Sequence, residues 1–193
     1  MTSAGLDTPP PPDDFATRER GATMDLGSYI EPEGRPAVRF ERVYDHLVDR
    51  VWAAVTEPDE LAHWFPSRAV IELQEGGLAD FSGDPNVPSF IGRVVVCEPP
   101  RRLGFTWGGD ELLFELETLG ENRSGLTLTN FLEAENTAAR TAAGWSVCLK
   151  ELDKLLADAQ PDGPHTASAQ SWQAYYEEHV EAGIPHGARI PGS

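Results

Sequence analysis

The chain has 193 residues, 40% of them apolar, which suits one domain with a sizeable core and is too little for two ordinary ones. Its 32 acidic against 15 basic residues give a formal charge of −17, a surface that repels phosphates and anionic lipid, so neither nucleic acid nor membrane is expected as a partner. Cys97 and Cys148 lack metal or redox spacing, and neither a signal peptide nor an apolar run of the ~18 residues a membrane span needs is visible, which together predict reduced, buried thiols and a cytoplasmic protein.

Residues 1–36 hold a four-proline run among charges and glycines, with no sustained apolar period. They are expected to form a disordered or loosely packed tail. In "AVRFERVY", Val38, Phe40 and Tyr44 occupy alternate positions apart from Arg42, which predicts the first strand. "HLVDRVWAAV" then spaces Leu47, Val48, Val51, Trp52 and Val55 along one face of a helix. Thr56 with Asp59 reads as a capping box and Pro58 as a first-turn residue, so a second short helix is predicted over 58–64.

From residue 68 to 133 the chain reads as six strands: "RAVIELQ", "GLADFS", "IGRVVVCE", "RLGFTW", "ELLFELETL" and "GLTLTNFLE". Short turn-forming separators favour an antiparallel meander over crossover units. "GDPNVPS" is a longer loop, because its prolines cannot sit in a central strand. A long helix over 136–159, with Asn136 as N-cap, carries the stripe Trp145, Cys148, Leu149, Leu152, Leu155 and Leu156, and that stripe must lie on the sheet. Trp172, Tyr175, Tyr176, His179 and Val180 then line one side of a short helix, read as a strap that packs back on the domain.

This order predicts an α+β, helix-grip (START-like) fold: a curved antiparallel sheet around a long C-terminal helix, with two short helices after the first strand. The segments "RFERVYDHLVDRVWAAVTEPDELAHWFP", "GRVVVCEPPRRLGFTW" and "GWSVCLKELDKLL" make it narrower. They resemble the SRPBCC superfamily, in the branch named for homology to the activator of the heat-shock-protein-90 ATPase. The resemblance covers 37–160, leaving 1–36 as a tail and 161–193 as a C-terminal extension with a short aromatic helix. It implies an elongated apolar cavity between sheet and long helix, in a superfamily whose members are carriers, polyketide cyclases and aromatases, drug-sequestering proteins or co-chaperone domains. The family often places histidine where this chain has Asn130, a departure that removes a titratable group.

Strand alternation puts Leu103, Phe105 and Trp107 on one face, and Leu112, Phe114 and Leu116 likewise, with Glu111, Glu115 and Glu117 towards water. The expected cavity lining is Trp64, Phe81, Phe90, Phe105, Trp107, Phe114, Asn130, Trp145 and Cys148. Any one of these also reads as ordinary core; Trp52 is expected to anchor the first helix in the core, and Trp64 and Phe65 to sit where the second helix borders a pocket entrance. Metal-binding histidine pairs, nucleophile elbows, phosphate loops and dinucleotide fingerprints are absent from the sequence, so no catalytic residue, metal or cofactor is expected. The expected function is non-catalytic binding of a small apolar or aromatic molecule by a monomer or homodimer. The alternatives are a cyclase or aromatase, with His63, Asp80 or Glu98 at the cavity mouth, and a protein partner docked through the C-terminal extension around Trp172.

Overall fold

The computed structural model of the chain describes residues 26–166 and 169–189. In chain order its elements are β1 (Ser28–Ile30), β2 (Ala37–Tyr44), α1 (Val48–Thr56), α2 (Pro58–Leu61), β3 (Arg68–Ile71), β4 (Leu78–Ser82), β5 (Phe90–Glu98), β6 (Arg102–Trp107), β7 (Asp110–Gly120), β8 (Arg123–Phe131), α3 (Ala138–Leu156) and α4 (Ala169–Glu181). The strands form one antiparallel sheet in the order β1-β2-β8-β7-β6-β5-β4-β3. Strands β3 to β8 follow one another across it, as short turns between consecutive strands require. Only β2 departs from the meander, lying beside β8, and α1 and α2 fill its long connection to β3. This is the helix-grip arrangement. Among the described residues no helix is long and apolar enough to cross a membrane.

Period-two patterning decides which side chains meet the helices. Val38, Phe40 and Tyr44 of β2, Leu126 and Leu128 of β8, Leu112, Phe114 and Leu116 of β7, and Leu103 and Phe105 of β6 are buried in one core with Trp145, Cys148, Leu149, Leu152 and Leu156 of α3. Each such Leu or Phe contributes roughly 1.5–3 kcal/mol by leaving water. Arg42 shares this inner face and is buried too. Its Nε lies 3.7 Å from Asp153 Oδ1 on α3, and the Tyr44 hydroxyl donates to the same oxygen at 2.9 Å. Burial, followed by the Asp153 charge, pushes the Tyr44 hydroxyl well above its ordinary pKa.

Local expectations are corrected at several places. The first strand is Ser28–Ile30, inside the segment expected to drape loosely; three residues are too few to show a period, and pairing with Ala37, Val38 and Arg39 is what makes them a strand. Residues 1–25 of that expected tail lie outside the described residues. Thr56 is not a cap: it ends α1, and its hydroxyl donates to the Trp52 carbonyl at 2.8 Å, while Glu57 occupies the N-cap of a shorter α2. Leu47, expected on the buried stripe of α1, precedes the helix and is exposed, and Trp52 is half-buried against the core. Asn136 lies in a short 3-10 turn, so α3 begins at Ala138 without a side-chain cap. Glu111 and Glu115 are half-buried and paired with Arg35 and Arg102. Cys148 is buried, whereas Cys97 is only half-buried; both are free thiols.

The two ends of the described chain meet over β2. Helix α4 packs back on α3, the strap arrangement, and the segment after it runs along the start of α3, where Ala139 N–H donates to Pro185 O and Ala188 N–H to Asn136 O. His179 of α4 is fully buried, 6.4 Å from the Phe40 ring. Its Nδ1–H donates to Tyr175 O at 2.6 Å, and its Nε2 accepts from Gly27 N–H at 3.3 Å, so the ring is clasped as the neutral tautomer. Gly27 is required there, because a Cβ would stand 2.4 Å from the Phe40 ring.

Burial holds the His179 imidazole below its ordinary value of 6.5. The native chain therefore takes up this proton less readily than the unfolded chain. Its contribution is complete above pH 6.5 and is lost as pH falls below that value. Urea unfolding at about pH 7.5 and about pH 5 is expected to show a larger loss of stability on acidification for the native protein than for His179→Gln. Equal losses in the two proteins would show that the clasp does not titrate.

Candidate functional site

Eight rings make one connected aromatic cluster at the β4–β6 end of the inner sheet face. Phe81, Phe90, Phe105, Trp107 and Phe114 come from β4 to β7, Trp64 and Phe65 from the turn after α2, and Trp145 from α3. Seven of these rings are among the residues expected to line a cavity, and Phe65 was expected with Trp64 at a pocket entrance; the structure places all eight in contact. Phe65 is the hub. Its ring centroid lies 5.6 Å from Trp64, 6.1 Å from Phe81, 6.4 Å from Phe105, 5.0 Å from Trp107 and 5.7 Å from Trp145. Several of these contacts are edge-to-face, the orientation that sets a ring's positive rim against its neighbour's negative face. The signal for Phe65 was its place in "HWFP", on a turn where neither helical nor strand period applies.

Register explains the tightness of the cluster. Phe81 and Phe90 are directly paired across β4 and β5, with centroids 5.1 Å apart. Ala79 pairs with Gly92, and a Cβ at Gly92 would stand 2.2 Å from Thr106 O and 3.1 Å from the Phe81 ring. Glycine at that position lets β5 and β6 close up beneath the rings. Trp64, Phe81, Phe105 and Phe114 are fully buried, and Phe65 and Trp145 nearly so, while Phe90 and Trp107 are half-buried. Exposure thus rises from the interior towards the 83–89 loop. Asp84 of that loop is near enough to α3 to act on Cys148, whose thiol is pushed up mainly by burial and further by Asp84 and Glu151.

The indole N–H groups of Trp64 and Trp145 are bonded to the protein itself. Trp64 Nε1–H donates to Ala54 O at 2.8 Å. Trp145 Nε1–H donates to Asn130 Oδ1 at 2.8 Å, and the Asn130 amide donates to Asp110 Oδ2 at 2.9 Å and Phe131 O at 3.1 Å. Asp110 Oδ1 in turn accepts from Glu133 N–H. Asn130 was expected in the cavity lining; its amide donors go to the Asp110 side chain and the Phe131 backbone, and its Oδ1 fixes the plane of the Trp145 indole. Cys148 sits one helical turn beyond Trp145, in the core beneath α3.

The groups considered for a cavity mouth are not gathered there. His63, Asp80 and Glu98 are all exposed, and Glu98 pairs with Arg102 at 3.1 Å. Among the described residues no group of three or more His, Cys, Asp or Glu is placed to hold a metal ion. Two open clefts of about 430 and 340 Å³ flank α4, the first beside Glu135 and Ile184, the second beside Lys150, Lys154 and Tyr175. None of the eight rings lines either cleft.

Residues 45–157 match the family described as Activator of Hsp90 ATPase homolog 1-like protein. The chain belongs to that family. It is similar to CalU16 from Micromonospora echinospora, with 27% identity and a TM-score of 0.63 over 81% of this chain and 88% of that one in the solution structure. The protein encoded by BPP1335 from Bordetella parapertussis shares 30% identity, with a TM-score of 0.58 over 72% of this chain and 84% of its own. DynU16, from the dynemicin biosynthetic locus, shares 25% identity, with a TM-score of 0.56 over 65% of this chain and 48% of that one. No curated protein matches the chain. Membership of the Activator of Hsp90 ATPase homolog 1-like family agrees with the SRPBCC resemblance and with the observed sheet and long helix.

Replacing Asn130 with leucine leaves the buried Trp145 N–H and an Asp110 oxygen without their partner. A loss of about 1–3 kcal/mol in unfolding free energy is expected, measured by urea titration. An unchanged stability would mean that the Trp145 indole turns to find another acceptor.

Proposed function

We propose that the chain binds a small hydrophobic or aromatic molecule, without transforming it, between the sheet and α3, in the domain spanning 37–160. Trp64, Phe81, Phe105, Phe114, Trp145 and Cys148 form the inner wall of this reading, Phe90 and Trp107 its entrance, and Asn130 the bracket for Trp145. The observation that carries it is the aromatic surface running unbroken from fully buried rings to two half-buried ones. A planar apolar guest can exchange edge-to-face contacts with Phe90 and Trp107 for equivalent contacts of its own, so opening the entrance forfeits little ring–ring energy. DynU16 comes from a biosynthetic locus, which supports a small-molecule ligand.

A cyclase or aromatase needs an acid or base inside the cavity, within hydrogen-bond reach of the reacting group. The exposure of His63, Asp80 and Glu98 speaks against that alternative, as does an amide at position 130. Docking of a protein through the C-terminal extension is less favoured because the aromatic side chains of α4 are used at home: Trp172 stacks on Tyr176 at 5.2 Å, and Tyr176 packs against the core.

A thermal-shift and tryptophan-fluorescence screen of apolar and aromatic compounds tests the proposal. A true ligand at about a hundred times its dissociation constant stabilises the native state by ~2.7 kcal/mol. The expected result is a saturable shift for one chemical class, the compound recovered unchanged, and affinity reduced about tenfold or more in Trp107→Ala and Phe90→Ala. Affinity unaltered in both variants would remove the entrance from this site, and recovery of a converted product would make the chain an enzyme.

A further inference from the structure

Six of the eight rings are buried, so a guest reaches the cluster only when a ring gives up its place. Seven of the eight are poorly suited to do so. Phe81, Phe90, Phe105, Trp107 and Phe114 stand on strands that are paired on both sides. Trp145 is on α3 with its indole bonded to Asn130, and the Trp64 indole is bonded to Ala54 O. Phe65 differs from all of these. It stands on the turn between α2 and β3, its ring has no polar atom, and it lies among the others, 5.0 Å from Trp107 and 5.7 Å from Trp145. Withdrawing it breaks neither a ladder nor a helix. The space it vacates is the size of one ring and is walled by Trp64, Phe81, Phe105, Trp107 and Trp145, whose faces and edges a planar guest meets as Phe65 does.

That turn is tied to the start of the C-terminal extension. Pro66 has no N–H to donate, and its carbonyl accepts a bond from His165 Nε2–H at 2.6 Å. His165 belongs to a segment, 161–166, that polar contacts fasten to α3. Glu151, a buried carboxylate, accepts from the N–H groups of Asp162 and Gly163 at 2.6 and 3.0 Å, and Lys154 bridges Glu151 and Asp162 at 2.6 and 2.8 Å. Thr166 Oγ1 closes the segment on itself through the carbonyls of Asp162 and Gly163. Asp162, His165 and Thr166 are exposed, and Pro161, Gly163 and Pro164 are only half-buried. Release of the segment therefore uncovers no apolar core, and it returns water to the Glu151 carboxylate, so the cost of opening is confined to a few hydrogen bonds. We propose that Phe65 is the gate of the ring cluster, the ring that a guest displaces, and that segment 161–166 is its latch, with His165 as the positioning residue that acts through Pro66. The proposal rests on the reading that the interior binds a guest, and it adds which ring yields and what restrains it.

Two measurements on the full chain test it, the first without a ligand. In hydrogen exchange, His165→Ala is expected to speed exchange of the Phe65 amide, which is bonded to Leu61 O at 2.8 Å, and to leave β7 and β8 unchanged. In stopped flow with Nile red, a neutral planar dye, the observed rate for the native protein is expected to level off as dye rises, because the gate has to open. His165→Ala is expected to raise that plateau about fivefold, the net worth of one hydrogen bond. His165→Gln, which keeps an N–H donor, is expected to restore the native rates; His165 is exposed, so both variants keep the core. Unchanged exchange at Phe65 in His165→Ala would overturn the latch whether or not the dye binds. Dye bound at rates that are indifferent to His165→Ala, or that rise linearly with dye, would overturn the gate and leave the binding reading in place. Faster exchange with no dye bound by either protein would remove the binding reading, and the gate with it.

Discussion

The inner face of the sheet is wider than one helix can cover, and the rest of the structure follows from that mismatch. Eight strands at a spacing of about 4.8 Å span well over 30 Å, whereas a helix with its side chains is about 10 Å across. Helix α3 reaches β2, α1 reaches β7 and β8, and α2 reaches β3. Strands β4 to β6 are left with no helix of their own. Their apolar side is closed by rings, from their own inner positions and from Phe65 on the turn after α2. Large planar side chains cover area that smaller aliphatic groups would leave hollow, and they do so at the end where the long loops lie.

Polar groups on the inner face serve to lock the helices at set positions along this surface. Arg42 and Tyr44 share Asp153 near the C-terminal end of α3, and His46 Nε2–H donates to the Leu156 carbonyl at its last turn. Near the middle of the helix, Asn130 holds Trp145. Apolar packing alone is tolerant of sliding, whereas a buried donor without its acceptor costs far more than a bond in water returns. The register of α3 on the sheet is therefore set by hydrogen bonds at its middle and its C-terminal end. Phenylalanine has no polar atom, so Phe65, Phe81 and Phe90 are held between Trp145 and the 83–89 loop by packing alone.

Inside and outside of the same strands differ in kind. Strands β4 and β5 point Phe81 and Phe90 inward and Asp80, Ile91 and Arg93 outward, by nothing more than alternation.

Sequence by itself determined the order of the elements between Ala37 and Leu156 and the inward side of β2, β6, β7 and β8, because alternation and turn chemistry are local and strong there. It also determined the family, since three motifs in order carry that information. Tertiary structure decided what the local pattern cannot hold. Ser28–Ile30 becomes a strand only by pairing with β2, the starts of α2 and α3 settle away from Thr56 and Asn136, and Phe65, on a turn without any period, becomes the centre of the aromatic cluster. Alternation says that Asn130 faces inward; only the arrival of Trp145 on a distant helix and Asp110 on the next strand says what its amide binds. Periodicity fixes the direction of a side chain relative to its own backbone, and the identity of what it meets is a property of the packed chain.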